Sequence, residues 1–391
     1  LKHISKSVWI LSLISLFTDT ASEMLYPIMP IYLKSIGFTV LLIGILEGFA
    51  EAIAGLSKGY FGKRSDNSGK RVPFVQLGYA FSAISKPMMA MFIYPLWIFF
   101  SRTIDRLGKG IRTGARDALL SDEATPQTKA KVFGFHRSMD TLGAVLGPAL
   151  ALLYLYYYPE DYKTLFFIAF VPGLLAIIAS FYLKEKKQEI KIKKKTSFFS
   201  FLNYWKQSPS SYRKLAIGLL AFTLFNSSDV FLLLKAKDAG LDDTSIIGVY
   251  IFYNLIYALF AFPIGILADK IGLKKVFIFG LSLFAIVYFG MATNTNLYVF
   301  FGLFFLYGVY AAATEGISKA WISNICDKKD TATAIGTFSA FQSICTMLAS
   351  ALAGFIWFTF GASIIFIVTG IATLIIIIYL MHSVRRSIPN K

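Results

Sequence analysis

Twelve stretches of mostly apolar residues, each about 20 long, follow one another along this chain, and an α-helix of that length spans the hydrocarbon core of a bilayer. They run roughly over residues 8–33, 41–62, 72–93, 95–118, 131–157, 164–183, 214–234, 245–267, 274–292, 297–320, 332–358 and 362–382. In lipid the backbone must satisfy its own hydrogen bonds, so such a chain is expected to be all-α, a bundle of transmembrane helices. Composition agrees with that reading. The 391 residues are 56% hydrophobic and 16% charged, where a soluble domain carries about 25% charged residues.

The formal charge of +17 would suggest nucleic acid in a soluble protein, but its placement points to a membrane. Basic residues crowd the even-numbered loops: Lys63, Arg64, Lys70 and Arg71, then Lys129 and Lys131, then Lys270, Lys274 and Lys275, then Lys328 and Lys329. Arg385, Arg386 and Lys391 add to the tail, while odd loops hold few cations (Lys34, Lys163, Lys235 and Lys237). Cytoplasmic loops attract Lys and Arg, so both termini are expected on the cytoplasmic side of an inner membrane, with no nucleic-acid partner. Lys2 and Lys6 ahead of an apolar run resemble a signal peptide. The run is too long for one, contains Asp19 and Glu23, and lacks a small-residue cleavage site, so a retained first helix is expected. Two cysteines, Cys326 and Cys345, make no disulfide framework.

The one long loop carries Lys186, Lys187, Lys191, Lys193, Lys194 and Lys195, then Phe198, Phe199 and Phe201, a pattern suited to lying on the inner leaflet. It divides the chain into expected domains at 1–183 and 214–391, joined by a basic linker over 184–213. The halves are related in sequence. Gly62, Asp66 and Gly69 recur at a constant offset as Gly265, Asp269 and Gly272, and Gly114, Ala118 and Gly134 recur as Gly316, Ala320 and Gly336. Two related six-helix halves are the pattern of a transporter that rocks around a midplane site.

Several motifs resemble those of the major facilitator superfamily over essentially the whole length. The loop Gly62-Lys-Arg-Ser-Asp66-Asn-Ser-Gly69-Lys70-Arg71 is similar to that family's signature loop. Gly265-Ile-Leu-Ala-Asp269-Lys-Ile-Gly272-Leu-Lys274-Lys275 is similar to it again. Glycine allows a tight turn between helices, and an aspartate at a helix end can pair with cations or with a neighbouring helix N-terminus. The resemblance implies that Asp66 and Asp269 latch the cytoplasmic side and release during transport; a turn that fixes topology without gating is the alternative. Arg106-x-x-Lys109-Gly110 resembles the fourth-helix motif whose arginine is associated with proton coupling, with Lys109 in place of the usual amide. Gly143-Ala-Val-Leu-Gly147-Pro148 is similar to an antiporter motif of the fifth helix, and glycines four apart also permit close helix packing. Asp19-Thr-Ala-Ser-Glu23 followed by Pro27 and Pro30 is similar to the first helix of drug/proton antiporters.

Ionisable residues inside the spans are the remaining signal. Each costs roughly 2.5–3.5 kcal/mol at bilayer centre, so a group of them must face one another or a watery chamber. The first half holds Asp19, Glu23, Glu47, Glu51, Lys86, Arg102, Asp105, Arg106, Lys109, Arg137 and Asp140; the second is sparser, with Asp229, Glu315 and Lys319. Spacing places Arg102 with Arg106 on one face and Asp105 with Lys109 on the next. Either a carboxylate titrates against an arginine, or the charges are permanent bridges holding helices in register. No P-loop or zinc-protease helix occurs, so no enzyme activity, organic cofactor or metal is expected, and the energy source is a proton gradient. The expected function is proton-coupled efflux of small amphipathic organic compounds by a monomer in contact with membrane lipids. Uptake or exchange of an anionic metabolite or siderophore, and a non-transporting receptor or scaffold, stand as alternatives.

Overall fold

A computed structural model describes residues 4–185, 197–226, 229–241, 243–294 and 296–383. The lysine run from Lys186 to Lys195, the tail cations Arg385, Arg386 and Lys391, and the side chain of Glu47 lie outside the described residues. Among those described, the secondary structure is helical throughout.

Every expected span has a helix or a helix pair. The first is α1 (Lys6–Leu25) with α2 (Met29–Ser35), followed by α3 (Val40–Ser68), α4 (Val72–Met91), α5 (Pro95–Asp122), α6 (Lys129–Tyr157) and α7 (Tyr162–Ser180). After a 3-10 turn over Phe198–Leu202 comes the short α8 (Asn203–Gln207). The second series is α9 (Ser210–Phe225) with α10 (Val230–Asp238), α11 (Asp243–Ile271), α12 (Leu273–Thr293), α13 (Leu297–Ile325), α14 (Thr331–Phe360) and α15 (Ala362–Ser383). Eight helices are long and apolar enough to cross a membrane on their own. The other spans fall short for visible reasons. α3, α4 and α5 carry charged and polar residues along their length, while α9 and α10 are only 16 and 9 residues long.

The opening span of each series is broken. Pro27 and Pro30 stand between and at the start of α1 and α2, where the missing amide and the fixed φ prevent a continuous helix. α9 stops at Phe225 and α10 starts at Val230, so the break recurs at the matching place in the second series. Transporters commonly build their binding sites from helices interrupted at corresponding positions of the two halves.

The chain forms two compact units that do not follow a single cut. Unit 1 comprises Leu1–Glu123, Met139–Gln207 and Lys328–Ser343; unit 2 comprises Ala124–Ser138, Ser208–Asp327 and Ile344–Lys391. The first turns of α6 therefore belong with the second series, and the first turns of α14 with the first. In unit 1, α5 packs against α3 and α4, and α7 covers α1 and α4. α4 and α5 approach closely because Gly78 and Gly108 face each other: a Cβ on either would stand 2.6 Å from the other's carbonyl oxygen. In unit 2, α13 lies against α11 and α12, with α15 on α12. Large apolar side chains such as Leu96, Tyr156 and Phe358 stand exposed, as expected of surfaces that meet acyl chains.

Candidate functional site

Charged side chains from α1, α4 and α5 meet at a cavity of about 50 Å³ inside unit 1. α1 contributes Asp19 and Glu23, and α4 contributes Ser82 and Lys86. From α5 come Arg102, Asp105, Arg106, Lys109 and Arg112, so four of the positions singled out in the sequence line one wall of the cavity. Asp105 ties the wall together. Its Oδ1 accepts from Lys86 Nζ at 2.8 Å, and its Oδ2 lies 3.4 Å from Arg102 Nη1, one turn away on the same helix. Spacing alone put Lys109 beside Asp105; the α4 lysine takes that place.

Two carboxyls share a hydrogen bond at the edge of this cluster. Asp19 of α1 bonds to Asp140 of α6 through their side chains, and the hydroxyl of Ser15 also donates to Asp140. Ionised carboxylates only accept, so a bond between two of them needs a proton on one. The close approach that brings them together comes from the fifth-span motif. A Cβ on Gly143 would stand 2.6 Å from the Leu16 carbonyl oxygen and 3.0 Å from Asp19 Cβ, and one on Gly147 would stand 2.6 Å from Met24 N. Glycines at both positions let α6 lie directly on the stretch of α1 that carries Asp19 and Glu23, with Pro148 following inside the helix.

Other candidates lie outside the cavity lining. Glu51 on α3 bonds to Ser343 and feels the charges of Lys58, Lys109 and Arg106. Arg137 belongs to unit 2, where its Nη2 reaches Glu315 Oε2 of α13 at 3.1 Å. Arg137 and Asp140 are therefore close in sequence but held by different neighbours.

The repeated loop motif builds the same contact twice. In unit 1, Asp66 Oδ2 accepts from Thr333 N at 2.6 Å and from Thr333 Oγ1 at 2.7 Å, at the first turn of α14. In unit 2, Asp269 accepts from Ala130 N at 3.0 Å and Lys131 N at 2.7 Å, at the first turn of α6. Free amides and the positive end of the helix dipole make a helix N-terminus the natural partner of a carboxylate. Small residues allow the approach: a side chain at Gly62 would run into the Ala332 carbonyl, and one at Gly265 into that of Ala130. Gly69 and Gly272 take φ of 64° and 105° at the turns, values open to glycine without strain.

The cations of the motif do different things. Arg71, 1% exposed, pairs with Asp66 at 3.4 Å and with Asp122 at 3.2 Å. Lys70 is exposed, as is Lys275, while Lys274 Nζ donates to the Met381 carbonyl at 2.7 Å.

Four contributors were not visible in the sequence as site residues. Ser15 sits one turn before Asp19 and touches Asp140; Asp122 completes the Arg71 pair. Glu185, where the long loop begins, accepts from the backbone amides of Arg71 and Val72 at 2.8–3.1 Å and so caps α4. Phe201, buried, fills the space above Gly59, where a Cβ would meet its ring at 2.5 Å. The sequence suggested that the aromatic run lies on the inner leaflet, whereas Phe201 is buried against Gly59, and nothing local pointed to the others.

An all-helical chain with broken opening spans, paired loop motifs and a charged interior cavity is a multi-pass membrane transporter by build. The chain belongs to the Major Facilitator Superfamily, whose model matches residues 11–250 and 215–391. It is 34% identical over 388 residues, 96% of each chain, to an uncharacterized MFS-type transporter of Methanocaldococcus jannaschii. It is 26% identical over 157 residues, 40% of this chain and 39% of the other, to the quinolone resistance protein NorA of Staphylococcus aureus. Among solved structures it is similar to the human organic anion transporter MFSD10, with a TM-score of 0.79 at 17% identity, covering 96% of this chain and 98% of the other.

Proposed function

We propose that this protein is a proton-coupled secondary transporter that works by alternating access and exports small amphipathic organic compounds. The observation that carries the coupling is the side-chain hydrogen bond between the Asp19 and Asp140 carboxyls, which needs a proton on one of them. Separating α1 from α6, or admitting a cation between the acids, releases that proton. Arginines within reach of the same cavity give a departing carboxylate another partner.

The cycle uses the paired latches. Asp66 on α14 and Asp269 on α6 hold two helix starts; letting go of either frees the first turns of that helix to move. In this reading the halves 1–183 and 214–391 are the moving bodies, the 184–213 segment joins them at the cytoplasmic face, and both termini are cytoplasmic. The partial likeness to NorA, a quinolone resistance protein, supports export of amphipathic compounds and supplies a probe.

Proteoliposomes with an imposed pH gradient and a fluoroquinolone as that probe test the proposal. Wild type is expected to accumulate the compound only when the gradient is present. Asp19→Asn and Asp140→Asn are each expected to abolish the gradient's effect while leaving gradient-free exchange in place. Gradient-driven accumulation that survives unchanged in both variants would overturn the coupling assignment.

A further inference from the structure

Among the described residues, an arginine of the unit 1 cavity has no ion-pair partner. Arg112 is 5% exposed and lines the cavity, yet among the described residues no carboxylate pairs with it. Its Nη1 donates to Ser82 Oγ at 2.5 Å, its guanidinium carbon lies 4.7 Å from the centre of the Tyr79 ring, and its Nε has no acceptor. Guanidinium stays protonated in proteins, so this charge is permanent. A hydroxyl and a π face soften the cost of burying it, but an uncompensated buried charge remains unfavourable.

Three of the nearby acids are engaged elsewhere. Asp105 is held by Lys86 and Arg102, Asp19 bonds to Asp140, and Glu51 answers Lys58, Lys109 and Arg106. Overall, five cationic side chains line the cavity against three carboxyls. Arg112 is also rigidly placed. A Cβ on Gly78 would stand 2.6 Å from Arg112 Cβ, so the backbone of α4 lies against the arginine stem and limits its swing. An immobilised, desolvated guanidinium with unused donor capacity at a cavity wall is prepared for a planar or tetrahedral oxyanion.

We infer that Arg112 receives the anionic head group, a carboxylate or phosphate, of the transported compound. The assignment rests on the transport reading above and narrows it: the substrate is an amphipathic anion whose head enters this cavity. The volume suits that role. About 50 Å³ holds one or two waters at roughly 30 Å³ each, or one small oxyanion head displacing them, but not a whole amphipathic molecule. Export of lipophilic cations through this cavity would bring positive charge up to a wall already short of anions.

A series of equal chain length and different charge tests the inference: hexanoate, hexyl phosphate, hexanamide and hexylammonium, read by thermal stabilisation of the protein in zwitterionic nanodiscs without a gradient. Hexanoate or hexyl phosphate is expected to raise the melting temperature at millimolar concentration, and the amide and amine are not. Arg112→Gln is expected to weaken the anion's apparent affinity about tenfold or more, with Arg112→Lys falling in between. Stabilisation by hexylammonium equal to that by hexanoate, no response to either anion, or unchanged affinity in Arg112→Gln would each overturn it. If Arg112→Gln fails to fold, the wild-type series alone decides. A second arm adds an anionic phospholipid to the nanodisc; should the lipid give the same stabilisation and remove the response to hexanoate, the site is a lipid headgroup site and the substrate assignment fails. Because no gradient is used, anion binding that persists while Asp19→Asn shows no coupling defect would count against the proton assignment and leave this one standing.

Discussion

At the residue scale the two latch aspartates make the sharpest predictions. Asp66 accepts two hydrogen bonds from Thr333 at the start of α14, a geometry equivalent to a helix cap supplied from another helix. Removing such a cap costs about 1 kcal/mol, or roughly a fivefold shift in an opening equilibrium. In a background with Cys326 and Cys345 replaced by serine, Thr337→Cys is buried and reports on that opening. Adding Asp66→Ala is expected to raise its rate of modification by a membrane-impermeant maleimide about fivefold; an unchanged rate would show that the contact holds nothing closed. The motif itself was legible in the sequence, since glycine and aspartate recur in register in both halves. What the aspartates touch was legible only as a class of partner. That Thr333 and the Ala130–Lys131 amides are the partners depends on where α14 and α6 begin in space, which no local pattern records. The same holds for Asp19 and Asp140: each was singled out as an acid inside a span, but their bond joins residues far apart in sequence through the contact of two helices.

At the scale of elements, close packing decides what is placed where. α6 sits on α1 because Gly143 and Gly147 offer no side chains, and the contact sets the distance between the two acids. Gly143→Val forces α1 and α6 apart, which should cost about 1–3 kcal/mol of stability and weaken pH-gradient coupling in proportion. Melting temperature and gradient-driven uptake together check it; loss of stability with coupling intact would separate the glycine's packing role from the carboxyl pair. The segment Phe198–Gln207 behaves as a wedge. Phe201 is packed against Gly59, Lys63 Nζ donates to the Ser200 carbonyl at 2.6 Å, and Trp205 meets Phe341 with ring centres 5.6 Å apart. Phe201→Ala should therefore destabilise the protein by about 3–5 kcal/mol, a large-to-small change at a buried site, where a freely lying linker would lose almost nothing. Helix existence was readable from apolar length, but the breaks after Leu25 and Phe225 were not, since 8–33 and 214–234 each read as one continuous span. Helix facing was not readable in the same way. Helices apolar on nearly all sides carry little information about which side meets a neighbour, so the wedge and the α1–α6 seam emerge only in three dimensions.

At the scale of the whole molecule a repeat, a charge imbalance and a shared proton act together. The repeat places equivalent latches in both units, and the first half alone concentrates the ionisable groups that a proton and an anion require. Proton coupling as proposed requires that Asp19 and Asp140 hold one proton between them at neutral pH. Infrared difference spectroscopy on the purified protein tests this directly, by following the stretch of a protonated carboxyl group. One such band is expected at neutral pH, lost in Asp19→Asn and lost again in Asp140→Asn, because the remaining acid of a broken pair ionises. A wild-type spectrum without that band, or a band untouched by both substitutions, would contradict it.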